Sequence, residues 1–130
     1  MANNAVINDV LNTGEQSILE SVKHMLNIAP NITVYDQDII IHINTVFSIL
    51  YQMGVGPKNG FRITSPNETW EYYFADDSID NQNYYNDLKD FVMLRVKMLF
   101  DPPTTSAMID SINNLIKELE YRLYTQSGGY

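Results

Sequence analysis

The chain has no cysteine, which excludes disulfide bonds and thiolate metal sites. Its 130 residues, of which 45% are hydrophobic, are enough for a single core that needs no covalent staples. We therefore expect one domain. The lack of cysteine also suits a reducing cytoplasm.

Basic residues are scarce. Eight Lys and Arg stand against sixteen Asp and Glu, so the formal net charge is −8. The bases are scattered and form no stripe: Lys23, Lys58, Arg62, Lys89, Arg95, Lys97, Lys117 and Arg122. Because binding to nucleic acids usually depends on clustered Lys and Arg, we expect no specific binding to DNA or RNA.

Long apolar runs are also missing. Polar residues interrupt every apolar stretch well before the roughly 20 residues that a membrane-spanning helix needs. The segment from Met1 to Asn4 lacks the basic region and apolar run of a signal peptide. We expect a soluble protein that is not secreted through a cleaved signal and has no membrane partner.

Residues in catalytic or metal-binding patterns are few. Asp38 and His42 are four apart on a predicted helix and would be able to share a metal, but two exposed helix residues are the better interpretation. No Gly-Lys-Ser or Gly-Lys-Thr accompanies the glycines at 54–60, so a phosphate loop is excluded. We predict no catalytic residues, no cofactor and no metal.

The acidic segment Asp76-Asp77-Ser78-Ile79-Asp80 weakly resembles a calcium-binding loop, with Asp87 in its twelfth position. Asn81 stands where such a loop needs glycine, and the final ligand would be Asp instead of Glu. A solvated loop is the favoured interpretation.

Apolar periodicity predicts the first two long helices. A capping box at Thr13-Gly14-Glu15-Gln16 begins the first, and Ala29-Pro30-Asn31 closes it. The second runs from Asp36, at or near its N-cap, to Met53, and Gly54 stops it.

Two further helices flank a proline pair. The third begins at Tyr84 or Tyr85 and ends at Phe100. Phe100-Asp101-Pro102-Pro103 must break the helix, because proline lacks the N–H and clashes with the preceding turn. The fourth is capped by Thr104, Thr105 or Ser106, and its apolar stripe is Met108, Ile112, Leu115, Ile116, Leu119 and Leu123.

The segment between the second and third helices has a different character. Gly54, Pro57 and Gly60 mark turns. The alternation in Phe61-Arg62-Ile63-Thr64 favours a short strand, and 68–74 is either its return strand or a helical turn.

Together these patterns predict a mainly α fold, a bundle of four to five helices with a short β-hairpin or extended loop inserted. We expect an N-terminal arm or short helix over 1–14, one helical domain over 15–125 with the insertion at 55–74, and a flexible end over 126–130.

Aromatic residues provide the candidate binding surface. Tyr and Trp combine a large contact area with a polar tip, which suits protein interfaces. The candidate interface residues are Phe61, Arg62, Ile63, Trp70, Tyr72, Tyr73 and Tyr124. The alternative is that Phe61, Trp70 and Phe74 simply cap the core beneath a long loop.

Short motifs follow one another in a distinctive order: Ile18-Leu19-Glu20-x-Val22-Lys23, Asp38-Ile39-Ile40-x-His42-Ile43-Asn44-x-Val46-Phe47, Gly54-Val55-Gly56-Pro57, Gly60-Phe61-x-Ile63, Trp70, Lys89-x-Phe91-Val92, Leu99-Phe100-Asp101-Pro102-Pro103, and Ile116-Lys117-Glu118-Leu119-Glu120-x-Arg122-Leu123. This succession, over residues 17–124, resembles the head–tail connector proteins of long-tailed bacteriophages, also called adaptor or head-completion proteins. The order and spacing carry the resemblance, since no single motif is specific.

The resemblance implies a non-enzymatic virion protein of the neck, made in the host bacterial cytoplasm. Such proteins form a ring, typically dodecameric, beneath the portal protein. The ring extends the DNA channel, through which the genome passes without specific binding, and docks the next neck or tail-completion protein. No cofactor is implied.

Seven acids lie between Glu68 and Asp90, and we expect part of this segment, above all Asp76, Asp77 and Asp80, to face the channel or a neighbouring subunit. The rival interpretation is a small acidic helical module that binds a phage or host protein without forming a ring.

Overall fold

The computed structural model describes residues 17–75 and 81–128. Within these ranges the chain forms five helices, α1 (Ile18–Met25), α2 (Asp36–Gln52), α3 (Trp70–Phe74), α4 (Gln82–Phe100) and α5 (Ser106–Gln126). The predicted mainly α bundle is confirmed. The arm at 1–14 and the last two residues lie outside the described residues.

Helix α4 occupies the centre of the bundle. It packs against α2 on one side and α5 on another, and it also contacts α1. Leu88, Phe91, Val92 and Val96 of α4 are completely or almost completely removed from solvent. They meet the buried stripe of α2, which is Ile39, Ile40, Ile43, Val46, Phe47 and Leu50.

Side-chain caps set the starts of four helices. Ser17 caps α1 by accepting from the N–H of Glu20, so the predicted cap at Thr13 is wrong for this helix, and Thr13 itself lies outside the described residues. Asn81 caps α4, which begins two residues before the predicted Tyr84, and Thr105 caps α5. Thr69 caps α3.

Helix α1 ends earlier than predicted. Its last residue is Met25, and Asn27 adopts the left-handed conformation (φ 62°) before the chain reaches Ala29. Lys23 in its last turn is fully buried and pairs with Asp36 at 2.9 Å, which ties α1 to the start of α2. Helix α2 ends at Gln52, with Gly54 in the left-handed conformation just beyond, as predicted.

The insertion contains no β-hairpin. Residues 61–64 pair with no strand, and of the two alternatives for 68–74 the structure has the helical one, α3. A single isolated bridge joins Thr69 to Ser17. The strand prediction fails because the side chain of Asn44, and not a second strand, satisfies the backbone of Ile63.

Candidate assembly surfaces

The segment 61–69, which we call the anchored loop, is fixed to the bundle by hydrogen bonds. Asn44 in α2 donates to the carbonyl of Ile63 (3.0 Å) and accepts from its N–H (2.8 Å). Ser17 donates to the carbonyl of Pro66 at 2.7 Å. The N–H of Ile18 donates to the carbonyl of Glu68. The loop is therefore a rigid part of the fold.

The carboxylate of Glu68 closes this loop on itself. It accepts four hydrogen bonds, from the N–H and hydroxyl of Thr64 and from the N–H and hydroxyl of Ser65. Burial opposes its ionisation, but the hydrogen bonds from Thr64 and Ser65 outweigh burial, so the pKa of Glu68 is lowered.

Most of the predicted aromatic interface belongs to the core. Ile63, Trp70 and Tyr73 are 1–2% exposed, and Phe61 is partly buried. Phe47 of α2 stacks on Tyr73 (4.9 Å between centroids) and meets Phe61 and Trp70 edge to face. Our alternative interpretation of Phe61, Trp70 and Phe74 as a cap on the core thus describes their environment.

The remaining predicted interface residues, Arg62, Tyr72 and Tyr124, are exposed. Tyr72 is 70% exposed, although its ring lies 5.8 Å from that of Phe61. The accessible part of the predicted interface therefore consists of Arg62 in the anchored loop, Tyr72 in α3 and Tyr124 in α5.

The turn-rich segment is shaped by a close backbone approach. Gly54, Gly56 and Gly60 all adopt positive φ. A Cβ at Gly56 would collide with the Tyr73 hydroxyl, whereas a Cβ at Gly54 would meet open space. Gly56 therefore lets the chain pass directly against the hydroxyl end of the Tyr73 side chain. Pro57 opens the turn whose hydrogen bond is donated by the N–H of Gly60.

The Phe100-Asp101-Pro102-Pro103 corner docks on the start of α2. The Phe100 ring meets Tyr35 edge to face at 5.7 Å and His42 at 6.4 Å. Lys97 donates to the carbonyl of Asp101 and lies 3.8 Å from its carboxylate. Pro102 is exposed and Pro103 half-buried. The corner thus sets where α5 departs from the core.

Helix α5 is the least buried of the long helices. Only Ile116, Leu119 and Leu123 of its 21 residues are buried, and it packs chiefly against α4. Of the predicted stripe, Met108 (55%) and Leu115 (45%) are exposed and Ile112 is partly buried. The first half of α5 therefore presents apolar side chains that the monomer leaves uncovered.

Polar contacts hold α5 antiparallel to α4. Arg122 pairs with Glu118 at 2.7 Å, as its spacing predicts, and lies 3.8 Å from Asp87 of α4. Gln126 donates to Asp87, and Arg95 lies 3.6 Å from Glu120. Several of these side chains remain partly exposed to solvent, so their contacts orient the helices more than they stabilise them.

An open groove runs along α5, formed by two adjoining hollows of about 420 and 250 Å³. We call it the α4–α5 groove. Its apolar lining is Met53, Met98, Leu99, Ile116, Tyr121 and Tyr124, and its polar lining is Arg95, Asn113, Lys117 and Glu120. Of the predicted residues it contains only Tyr124. The signal for this groove in the sequence was a pair of tyrosines, Tyr121 and Tyr124, spaced three apart on a long predicted helix.

The acidic segment is only partly described. Asp76, Asp77 and Asp80 lie outside the described residues. Glu68 and Asp87 have structural partners, whereas Glu71 and Asp90 are exposed. Burial, followed by the negative charge of Asp87, raises the pKa of Asp90.

Across residues 17–75 and 81–128, no three His, Asp or Glu side chains gather closely enough to hold a metal ion. Asp38 and His42 lie on α2, the latter against Phe100. In the same part of the chain no helix is both long and apolar enough to cross a membrane.

Comparison with known proteins identifies one family. Its model, described as phage connector protein, matches residues 18–130. No curated protein and no solved structure matches the chain. The matched region contains every described helix from α1 to α5. The family is one of structural proteins and not of enzymes. The chain belongs to the phage connector protein family.

Proposed function

We propose that this protein is a subunit of a ring, dodecameric if it follows its family, that lies beneath the portal protein of a tailed bacteriophage. The ring continues the DNA channel and docks the next neck or tail-completion protein. The observation that carries the proposal is α5, a 21-residue helix of the connector fold with three buried residues.

A helix of this length gains most of its stability from packing and not from intrinsic propensity. Met108 and Leu115 are seven apart and remain exposed on one side of α5, while Tyr121 and Tyr124 remain exposed along the groove. A closed ring needs two different surfaces on each subunit, one for each neighbour. The exposed apolar side chains of this peripheral helix supply contact area for such an arrangement.

The charge of the chain supports a passive channel. A net charge of −8 attracts no phosphate, so an acidic lumen lets DNA pass without sticking. We propose that Asp76, Asp77 and Asp80 face the channel or a neighbouring subunit. Replacing all three by Lys should slow DNA ejection or disturb assembly, and unchanged infectivity of phage carrying the triple variant would refute this role.

We propose that Arg62 and Tyr72, both exposed, form a contact patch for a neck partner. Removing the whole anchored loop would also remove the hydrogen bonds from Asn44 and Ser17, so point variants are the sharper test. Arg62→Ala with Tyr72→Ala should leave the monomer folded and reduce tail joining. Normal tail joining by this variant would exclude the patch.

Ring formation is tested by mass measurement and electron microscopy of the purified chain, alone and with portal-containing heads. We expect a closed multi-subunit ring, or stoichiometric binding to heads with the portal as template. A protein that stays monomeric at high concentration and also fails to bind such heads would contradict the proposal and favour a module without ring assembly.

A further inference from the structure

We propose that the α4–α5 groove of one subunit receives the N-terminal edge of α2 from the next subunit. This inference rests on the proposed ring and specifies which two surfaces meet in it. The inserted edge consists of Val34, Asp38 and Ile41, and we call it the acidic edge.

The groove combines apolar walls with a positive charge that has no ion-pair partner in the part of the chain that the structure describes. Met53, Tyr121 and Tyr124 line its wider part, and Tyr121 is 70% exposed. Arg95 lies near Glu120, but Lys117 has no carboxylate within ion-pair distance among the described residues. In a chain with twice as many acids as bases, an unpaired lysine in an apolar groove favours an acidic, apolar partner.

The acidic edge has the complementary composition. Val34 is 77% exposed and Ile41 60% exposed, and both are large apolar side chains. Asp38 is exposed three residues before Ile41, hence on the same side of α2. No Lys or Arg occurs between Lys23 and Lys58, and the nearby Asp36 is already neutralised by Lys23.

The two surfaces carry opposite charges, Lys117 in the groove and Asp38 on the acidic edge, and both expose apolar side chains. Two copies of the groove would bring Lys117 against Lys117, and two acidic edges would bring Asp38 against Asp38. Pairing groove with edge joins opposite charges and covers the exposed apolar side chains. Like-charge repulsion therefore selects the head-to-tail contact that a ring requires.

The absence of cysteine allows a direct test. Val34→Cys and Tyr121→Cys are made as separate variants, mixed under ring-forming conditions with or without portal-containing heads, and oxidised. The mixture should give a disulfide-linked heterodimer, and either variant alone should give at least tenfold less crosslinked dimer. Asn59→Cys replaces an exposed loop residue that belongs to neither surface and serves as the control partner.

A charge exchange gives a second test. Lys117→Glu and Asp38→Lys should each weaken association between subunits about tenfold, because each places like charges together. The double variant should recover most of that loss. Lys58→Glu and Glu71→Lys make the same charge changes at exposed positions outside both surfaces and should leave assembly unchanged. All variants should keep the helical circular dichroism of the parent.

The outcomes separate this inference from the proposed function. If rings form but the mixed Val34→Cys and Tyr121→Cys variants fail to crosslink and the charge variants assemble normally, the pairing is overturned while the ring stands. If self-pairs of one variant crosslink as fast as the mixture, the contact is symmetric and the pairing is again refuted. If no ring forms alone or on heads, the proposed function itself fails.

Discussion

Asn44 binds the backbone of Ile63 as a neighbouring strand would, donating to its carbonyl and accepting from its N–H at 3.0 and 2.8 Å. Asn44 is 8% exposed and lies among the apolar residues of α2, and Ile63 is 1% exposed. One side chain thus fixes the anchored loop to the second helix. Without it, both polar groups of a buried residue would lack partners.

Asn44→Ala should lower the free energy of unfolding by about 2–4 kcal/mol, since two hydrogen bonds are lost and two buried backbone groups are left unsatisfied. Urea denaturation followed by circular dichroism measures the change. Asn59→Ala, at an exposed loop position, is the control and should change stability by less than about 0.5 kcal/mol. Equal midpoints for the two variants would contradict the role of Asn44.

Gly56 and Gly54 form a natural matched pair. Both have positive φ (94° and 80°), so alanine strains the backbone at either site by about 1 kcal/mol. Only at Gly56 does a Cβ collide with Tyr73. Gly56→Ala should therefore destabilise the protein by about 1–3 kcal/mol more than Gly54→Ala does, the usual range for overpacking a core. Comparable thermal midpoints for both variants would show that Tyr73 shifts to accommodate the added methyl group at little cost.

The long helices were predictable because their signals are local. Apolar spacing and the Pro102–Pro103 break located α2, α4 and α5 to within a few residues. The start of α1 was missed because Thr13 and Ser17 both precede a Glu or Gln by three residues, and which one caps depends on tertiary contacts. Ser17 is the cap in the structure, and its hydroxyl also donates to the carbonyl of Pro66, 49 residues away in sequence.

The anchored loop and the groove were beyond sequence reasoning for the same physical reason. The alternation at 61–64 predicted a short strand, but it did not indicate that a helix side chain would take the place of the partner strand. Aromatic content alone did not separate Tyr73, in the core, from Tyr72, at the surface. Which of the two rings is buried depends on how α3 is oriented. Thr69 and Ser17, which are distant in sequence, set that orientation.

Glu68 should give the stability a specific acid dependence. Its pKa is lower in the folded protein than its ordinary value of 4.5, so its ionised form stabilises the fold. That contribution is present above about pH 4.5 and is lost as the pH falls through the folded pKa. Glu68→Gln should therefore destabilise the protein at neutral pH, and the difference from the parent should shrink below about pH 4.5.

Urea midpoints of both proteins between about pH 3 and pH 7 measure this difference. Glu71→Gln, at an exposed position three residues along, is the control. A Glu68→Gln deficit that stays constant over the whole range would mean that its hydrogen bonds, and not its charge, stabilise the loop.

The proline corner should matter more for assembly than for the monomer. Pro102 is exposed, so Pro102→Ala with Pro103→Ala mainly adds freedom to the unfolded chain, at a cost of about 1–2 kcal/mol in total. The same change loosens the angle at which α5 leaves the core, and the proposed contact between subunits depends on the α4–α5 groove. We expect a modest drop in thermal midpoint but a strong loss of ring in mass measurements.

Phe100→Ala should mainly destabilise the monomer, in contrast to the double proline variant. It removes the ring contacts with Tyr35 and His42 from a partly buried site and should cost the monomer about 2–3 kcal/mol.

Pro66→Ala is the control for the double proline variant. It removes a proline elsewhere in the chain, and alanine keeps the carbonyl that accepts from Ser17. If the double proline variant assembles as well as Pro66→Ala does, the corner acts only as a helix stop, because the α5 angle is then held by the Asp87, Arg122 and Gln126 contacts alone.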